Sequence, residues 1–417
     1  MNDEPDIAII GAGAAGIGAA RRLAGSGLNV LLLEALPRIG GRAWTRHAAG
    51  MPLDLGCEWL HSADRNPWTL IAEQSGFTVD RRPSAWDRED GANGLSAAAW
   101  DEARQAFASW SARLAAAPPA SDIAAEALAP GGRWTAYLQA MSGFISGDEL
   151  ERISARDYAA YDAASTDCNW RLPAGYGTLI TASLPAAIPL RLTAAVEAVR
   201  LDGSRVELRT AAGTVRARAV ICTVSTNILA GDAMDWPSGL DPWREAASRL
   251  PLGNDEKLFF EITGGHPFTP ESHALGDPFD AATGSYYIRP FGQPVISCFL
   301  GGAGARAVAA QGAEAAFARA MDQLAGLFGA DIRRCLRPLI ASDWTRSPTI
   351  GGAYSHALPG QSRARVMLAR PYDNRLFFAG EATHLTDFST AHGAYLSGQR
   401  AAEEALAALA PHHFLAR

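Results

Sequence analysis

The chain has 417 residues, 48% of them hydrophobic and 19% charged, and 37 Lys plus Arg against 44 Asp plus Glu give a net charge of −7. This length exceeds the roughly 250 to 300 residues that one core accommodates, so two packed domains are expected. The acidic balance without clustered basic residues excludes a nucleic-acid binder, and no apolar run approaches the roughly 20 residues that span a bilayer. Met1-Asn2-Asp3-Glu4-Pro5 lacks the positive charge of a secretory signal, so a cytoplasmic protein without membrane attachment is expected. The five cysteines, Cys57, Cys168, Cys222, Cys298 and Cys335, show no CxxC spacing, and His384 and His392 lack HExxH spacing, so reduced thiols and no metal are expected.

In chain order, residues 6–10 read as a strand, 11–16 as a glycine turn, 17–25 as a helix and 29–34 as a strand. Gly11, Gly13 and Gly16, with Ala14 and Ala15 between them, form a G-x-G-x-x-G turn. Such a turn lets backbone N–H groups and a helix N-terminus approach a pyrophosphate. Glu34, ending the next strand, places a carboxylate for the ribose hydroxyls of an adenosine. The strand–turn–helix–strand context distinguishes this dinucleotide site from a fortuitous glycine-rich turn.

Residues 81–162, rich in Ala, Trp and Arg at helical spacing and broken at Pro118-Pro119 and Pro130-Gly131-Gly132, read as a helical insertion. Strands are predicted at 205–209, 214–218 and 219–224, with Asp202-Gly203 as a hairpin turn. Further strands at 257–262, 285–288 and 295–300 suggest a second sheet, followed by an amphipathic helix over 305–328. The chain closes with a strand at 375–379, a Gly380-Glu381 turn and a helix beginning near Ala391, mirroring its opening. The expected fold is α/β: a discontinuous Rossmann-like dinucleotide domain from residues 1–78, 187–245 and 336–417, with an α+β substrate domain from 79–186 and 246–335 inserted.

The segment from Glu34 and Ala35 to Gly40-Gly41-Arg42 resembles the second flavin fingerprint of glutathione-reductase-like flavoproteins, in which the Gly-Gly-Arg turn serves the phosphates. Residues 375–384 and 389–398 closely resemble the closing motif of polyamine oxidases and lysine-specific histone demethylases. The chain is thus similar to the flavin amine oxidase family. The resemblance implies FAD, with Gly380 and Glu381 at its phosphate and ribityl portion. Thr390 and Ala391 would open a helix whose positive end faces flavin N1 and O2, and the Val196 backbone would meet adenine.

Three further matches place a substrate site. Residues 251–258 resemble the segment that delivers a lysine, through a water, to flavin N5, here Lys257. A solitary lysine is usually a solvated surface residue, but Lys257 is the only lysine in the chain and opens the apolar run Leu258-Phe259-Phe260. Residues 351–355, preceded by Asp343-Trp344, resemble the segment lying along the flavin. Ala353 stands where monoamine oxidases carry a flavin-bonded cysteine, which implies noncovalent FAD. Tyr354 matches one wall of the family's aromatic cage and Thr390 aligns with the other; Tyr354 and Trp344 are also compatible with core aromatics. Gly56-Cys57-Glu58-Trp59-Leu60-His61 resembles the polyamine oxidase segment that runs along the cofactor and ends beside the amine, which implies a substrate-side role for His61, although an isolated histidine more often serves structure.

These matches imply hydride transfer from the carbon next to an amine nitrogen to flavin N5, imine hydrolysis to an aldehyde and an amine, and reduction of O2 to hydrogen peroxide. The expected substrate is a small amine, with polyamines favoured. The alternatives are an L-amino-acid oxidase, with Arg289 or Arg171 meeting a substrate carboxylate, a related desaturase or isomerase, and a degenerate member that keeps FAD as a structural ligand. No motif in 81–162 identifies the substrate.

Overall fold

The apolar tetrapeptides Ile7–Ile10, Val30–Leu33 and Ala219–Cys222 are buried at every position and form the centre of a parallel sheet. Its strand order is 376–378, 219–222, 7–10, 30–33, 190–191. Continuous apolar runs are what a strand needs when both faces are covered. Ala15, Ala19 and Leu23 of helix Ala14–Leu23 and Ala394, Ala401 and Ala405 of helix Ala391–Leu409 join this sheet in one core. The two helices touch backbone to backbone: a Cβ on Gly398 would stand 1.9 Å from Ala15 O, and one on Gly18 2.4 Å from Tyr395 O. The first and last helices of the chain therefore belong to one unit, as the mirrored ends predict.

This computed structural model describes residues 4–87 and 95–410, which fall into two compact units. One takes the residues up to 43, 180–250 and those from 363 onward; the other takes 44–179 and 251–362. Besides the parallel sheet, the first unit holds an antiparallel meander, Val196–Asp202, Arg205–Thr210 and Gly213–Ala217. Its first turn is the expected hairpin, with Asp202 paired to Arg205.

The second unit contains an antiparallel sheet in the order 272–275, 285–288, 295–301, 255–262, 336–341. Side chains alternate across it. Leu258, Phe260, Tyr286, Ile296, Cys298 and Leu300 point to one face and pack with helices Ala303–Gln311 and Ala313–Phe328. The opposite face carries two cross-strand rows, Lys257–Phe299–Ser285 and Phe259–Ser297–Tyr287. The insertion forms helices Ala97–Ala116, Thr135–Ser146 and Ala155–Ala164 around Trp110, Tyr137, Leu138 and Tyr158, and both proline-marked breaks fall between helices.

Several boundaries differ from expectation. The first helix begins at Ala14 rather than 17, because Gly13 is its N-cap and the last part of the glycine motif is already helical. The helix expected over 305–328 is two helices, divided where Gly312 adopts φ +88°. Residues 44–78 and 336–362 pack in the second unit rather than with the dinucleotide sheet, and 180–186 and 246–250 pack in the first. The causes of the larger shift are local pairings. Asp54, in the hairpin Thr45–Ala48 and Met51–Asp54, accepts the Tyr176 N–H at 2.8 Å, and Leu336–Ala341 pairs with Asp255–Ile262. The readings of Met1-Asn2-Asp3 and of residues 88–94 in the insertion lie outside the described residues.

Candidate functional site

In the first unit the candidate cofactor-binding atoms belong mostly to the backbone. Gly13 caps helix Ala14–Leu23, and having no side chain it leaves the helix N–H groups without a side-chain cap. Those groups carry the positive end of the helix dipole, beginning at Ala14 and Ala15. Gly40 donates its N–H to Ala12 O at 2.8 Å and bridges to Gly13, laying the second glycine turn against the first. A Cβ on Gly41, which adopts φ +57°, would stand 3.2 Å from Gly13 Cα, so only glycine fits without displacement.

Arg42 leaves this turn and pairs with Glu381 at 3.0 Å. Buried Glu381 also accepts the Ser389 N–H at 2.9 Å. Nothing lies within 4 Å of where a Cβ on Gly380 would project, and a cavity lined by Arg42, Ser225, Gly380 and Glu381 opens there. A glycine recess, a helix N-terminus and an arginine together fit a pyrophosphate.

Glu34 is buried and its two carboxylate oxygens accept the N–H groups of Ala12 at 2.7 Å and Leu36 at 2.8 Å. It therefore shapes the glycine turn. A carboxylate has about four acceptor positions, so it retains capacity for ribose hydroxyls. The carbonyls of Glu34 and Leu36 accept the N–H groups of Ala194 and Thr193, which fixes the approach to Val196 beside Glu34 and Ala35. Thr390, expected as a cage wall, is the N-cap of helix Ala391–Leu409: its hydroxyl accepts the Gly393 N–H at 2.9 Å and donates to Asp387 O at 2.6 Å.

In the second unit the candidate functional atoms are the tips of side chains. Lys257 is buried, and its Nζ donates to Asp54 O at 3.0 Å and to Glu58 Oε2 at 2.7 Å. Trp344 Nε1 donates to the adjoining carbonyl, Leu55 O, at 2.8 Å, and the Trp344 ring meets Trp44 edge to face at 6.1 Å. Glu256 holds the Trp344 segment by accepting the Ser342 hydroxyl at 2.5 Å and the Thr345 N–H at 2.9 Å. The strand 255–262 thus supplies a lysine on one side and, on the other, the acid that fixes Trp344.

Tyr354 donates its hydroxyl to Phe144 O at 2.5 Å, and the Phe144 ring lies against Phe299, the cross-strand partner of Lys257. Burial, reinforced by the neighbouring Asp255, raises the Tyr354 phenol well above its ordinary value. Burial likewise raises the Asp255 carboxyl well above the carboxylate range. Gly56 and Cys57 lead into Glu58, and the short ribbon Trp59–Leu60 with Trp170–Arg171 fixes the segment. Trp59 packs on Tyr287 at 5.7 Å, and His61 Nδ1 lies 2.7 Å from Asn169 Oδ1.

The second unit therefore brings Glu58, Lys257 and Trp344 together on the Asp54–Leu55 segment. Glu58 was expected at the cofactor; its carboxylate is bound to Lys257. Asp54, Phe144, Glu256 and Phe299 were missed. Only the sheet register identifies Phe299, and nothing short of the fold identifies the Asp54 and Leu55 carbonyls. Among the described residues, no group of three or more His, Cys, Asp or Glu is arranged to hold a metal, and no helix is long and apolar enough to cross a membrane.

Residues 85–406 match the family model described as flavin containing amine oxidoreductase, and residues 9–73 match that of an NAD(P)-binding Rossmann-like domain. Polyamine oxidase 3 of Oryza sativa subsp. japonica is 27% identical over 452 residues, covering 96% of this chain and 89% of its own length. Lysine-specific histone demethylase 1 homolog 2 of Arabidopsis thaliana is 24% identical, covering 97% of this chain and 58% of its own length. The structure of wild-type putrescine oxidase bound to putrescine superposes with a TM-score of 0.76 over 97% of this chain and 99% of that one, at 20% identity, a likeness of fold. The double-glycine cradle and the family match together assign FAD as the cofactor. The chain belongs to the family of flavin-containing amine oxidoreductases.

Proposed function

We propose that the protein oxidises small aliphatic amines of the polyamine class, using dioxygen as acceptor. The observation that carries this reading is Lys257, the single lysine of the chain, buried and held by two fixed acceptors beside Trp344. When bound, FAD supplies the two-electron acceptor for the C–H bond next to the amine nitrogen and returns the electrons to dioxygen, giving hydrogen peroxide. The glycine turns and Arg42 hold the pyrophosphate, Glu34 the ribose and the Val196 backbone the adenine.

Lys257 offers its remaining N–H to a water beside the reacting centre, where a positive charge stabilises developing negative charge. Trp344 and Tyr354 orient the amine, and their rings exclude water. His61 supplies a polar contact to the substrate. Water hydrolyses the iminium product to an aldehyde and a smaller amine. Ala353 has no nucleophile for a flavin bond, so FAD is held noncovalently. Threonine at position 390, in place of a second aromatic wall, leaves room for an elongated or polar amine. The relatives named polyamine oxidases support that preference.

The amino-acid oxidase alternative needs a free cation for a carboxylate. Arg171 is buried, with Nη2 bound to Asp80 at 3.1 Å and Glu271 at 2.7 Å and its charge lying among Trp59, Tyr287 and Phe291. Arg289 is turned to the carbonyls of Phe268 and Gly292. The Arg171 charge is already answered by two carboxylates, and the Arg289 guanidinium is held by backbone carbonyls, which favours the amine. A peroxide-coupled screen of polyamines, monoamines and L-amino acids tests the reading: peroxide with polyamines is expected, and turnover confined to aromatic monoamines or amino acids would reject it. Acid precipitation should leave the flavin in the supernatant; a yellow pellet would refute noncovalent attachment.

A further inference from the structure

We propose that Glu58 is a positioning residue for Lys257, holding its ammonium in one orientation with a single N–H left to act. An ammonium has three N–H donors. Asp54 O takes one at 3.0 Å and Glu58 Oε2 a second at 2.7 Å. The third is the one available to water or substrate. A neutral acceptor in place of Glu58 would leave a buried cation uncompensated, because the Lys257 side chain is only 9% exposed.

The other nearby acid is not free to take over. Asp54 spends its carboxylate on the Thr45 hydroxyl and on the N–H groups of Tyr176 and Gly177, presenting only its backbone carbonyl to Lys257. Burial also raises its carboxyl above the usual carboxylate range. Glu58 itself is anchored from behind. Trp59 pairs with Arg171 in the two-stranded ribbon, the Arg171 guanidinium lies 4.8 Å from the Trp59 ring, and Trp59 packs on Tyr287. Glu58 thereby projects from a fixed backbone toward a lysine fixed on another strand, which is the arrangement a positioning residue requires.

The inference rests on the proposed role of Lys257, and the chain allows the two to be tested separately. Growth on 15N-lysine labels one residue of the 417. In the FAD-loaded protein, the ammonium should give a single proton–nitrogen correlation, protected from exchange by its two hydrogen bonds. Glu58→Gln, close in shape but uncharged, should broaden this signal or accelerate its exchange at least about tenfold; Glu58→Asp should restore it in part. In the same variant kcat should fall at least about tenfold while KM changes less than about twofold, since the ammonium and not the amine pocket is disturbed.

An unchanged lysine signal in Glu58→Gln would overturn the inference. Loss of the signal with wild-type kcat would uphold the pairing and overturn instead the assignment of Lys257 to the reaction. Should Glu58→Gln fail to fold, the Glu58→Asp signal decides alone: displacement with partial protection supports the pairing, and a spectrum identical to wild type overturns it.

Discussion

In the first unit the candidate cofactor groups are mostly residues without side chains: Gly13, Gly40 and Gly41 let two turns pack closely, and Gly380 leaves open space near Arg42 and Glu381, the cradle proposed to meet a phosphate. In the second, the candidate groups are side-chain tips from separate segments: Lys257 with Glu58 and Trp344 gather on the Asp54–Leu55 carbonyls, while Tyr354 reaches Phe144 O. A backbone site tolerates almost no added atom. A side-chain site tolerates rearrangement but depends on charge and hydrogen-bond partners. The two regions should therefore fail differently when mutated.

The largest effect is expected at Gly16, where a Cβ would stand 1.9 Å from Gly11 O. No rotamer relieves a clash with backbone, so Gly16→Ala should cost about 3 kcal/mol and abolish FAD retention, read by thermal melting and flavin absorbance. Gly25 is the control: it has φ +79° and open space around its missing Cβ. Gly25→Ala should cost only about 1 kcal/mol and leave FAD bound. Equal losses at both glycines would break the contrast.

Glu381→Gln removes the charge opposite Arg42 and should weaken FAD by about tenfold, ~1.4 kcal/mol, measured by flavin release on dilution. In the second unit, Tyr354→Phe deletes the bond to Phe144 O and the hydroxyl beside Asp255, and should cost about 1 kcal/mol of stability while FAD content stays at the wild-type level. Loss of FAD in Tyr354→Phe would blur the distinction between the two regions.

A separate effect concerns pH. His273 Nε2 lies 2.8 Å from Ser285 Oγ on the same sheet face as Lys257, and burial pushes its imidazole down to about 4 from 6.5. The unfolded chain binds this proton first. The stability contributed by neutral His273 is complete above pH 6.5, declines as pH falls, and is lost below about 4. Melting temperatures between these limits should fall more steeply for wild type than for His273→Gln; parallel slopes would contradict it.

This contrast also explains what was legible in the sequence. Gly11 to Gly16, Gly40 to Arg42 and Gly380-Glu381 are contiguous motifs because a backbone site is made of consecutive residues, and the two-ended domain followed from finding them at both termini. Family motifs point to Lys257, Trp344 and Tyr354, of which the structure brings Lys257 and Trp344 onto the Asp54–Leu55 segment. The Glu58–Lys257 pair was not legible, because two residues 199 positions apart meet only through the sheet and its supporting ribbon. The packing of hairpin 45–54 in the second unit is not legible for a similar reason: its anchor, Tyr176 N–H to Asp54, is a tertiary contact. Nor did helical spacing over 305–328 reveal the break, since Gly312 alone carries it.

The central claim is that Lys257 serves the chemistry rather than the core. Stopped-flow measurement of Lys257→Met, following anaerobic reduction by a polyamine and reoxidation by dioxygen separately, tests it most directly. Methionine keeps the length and removes the charge, so FAD should remain bound while at least one half-reaction slows by about tenfold or more, ~1.4 kcal/mol of lost transition-state stabilisation. Wild-type rates in both half-reactions would contradict the account and return Lys257 to a structural role.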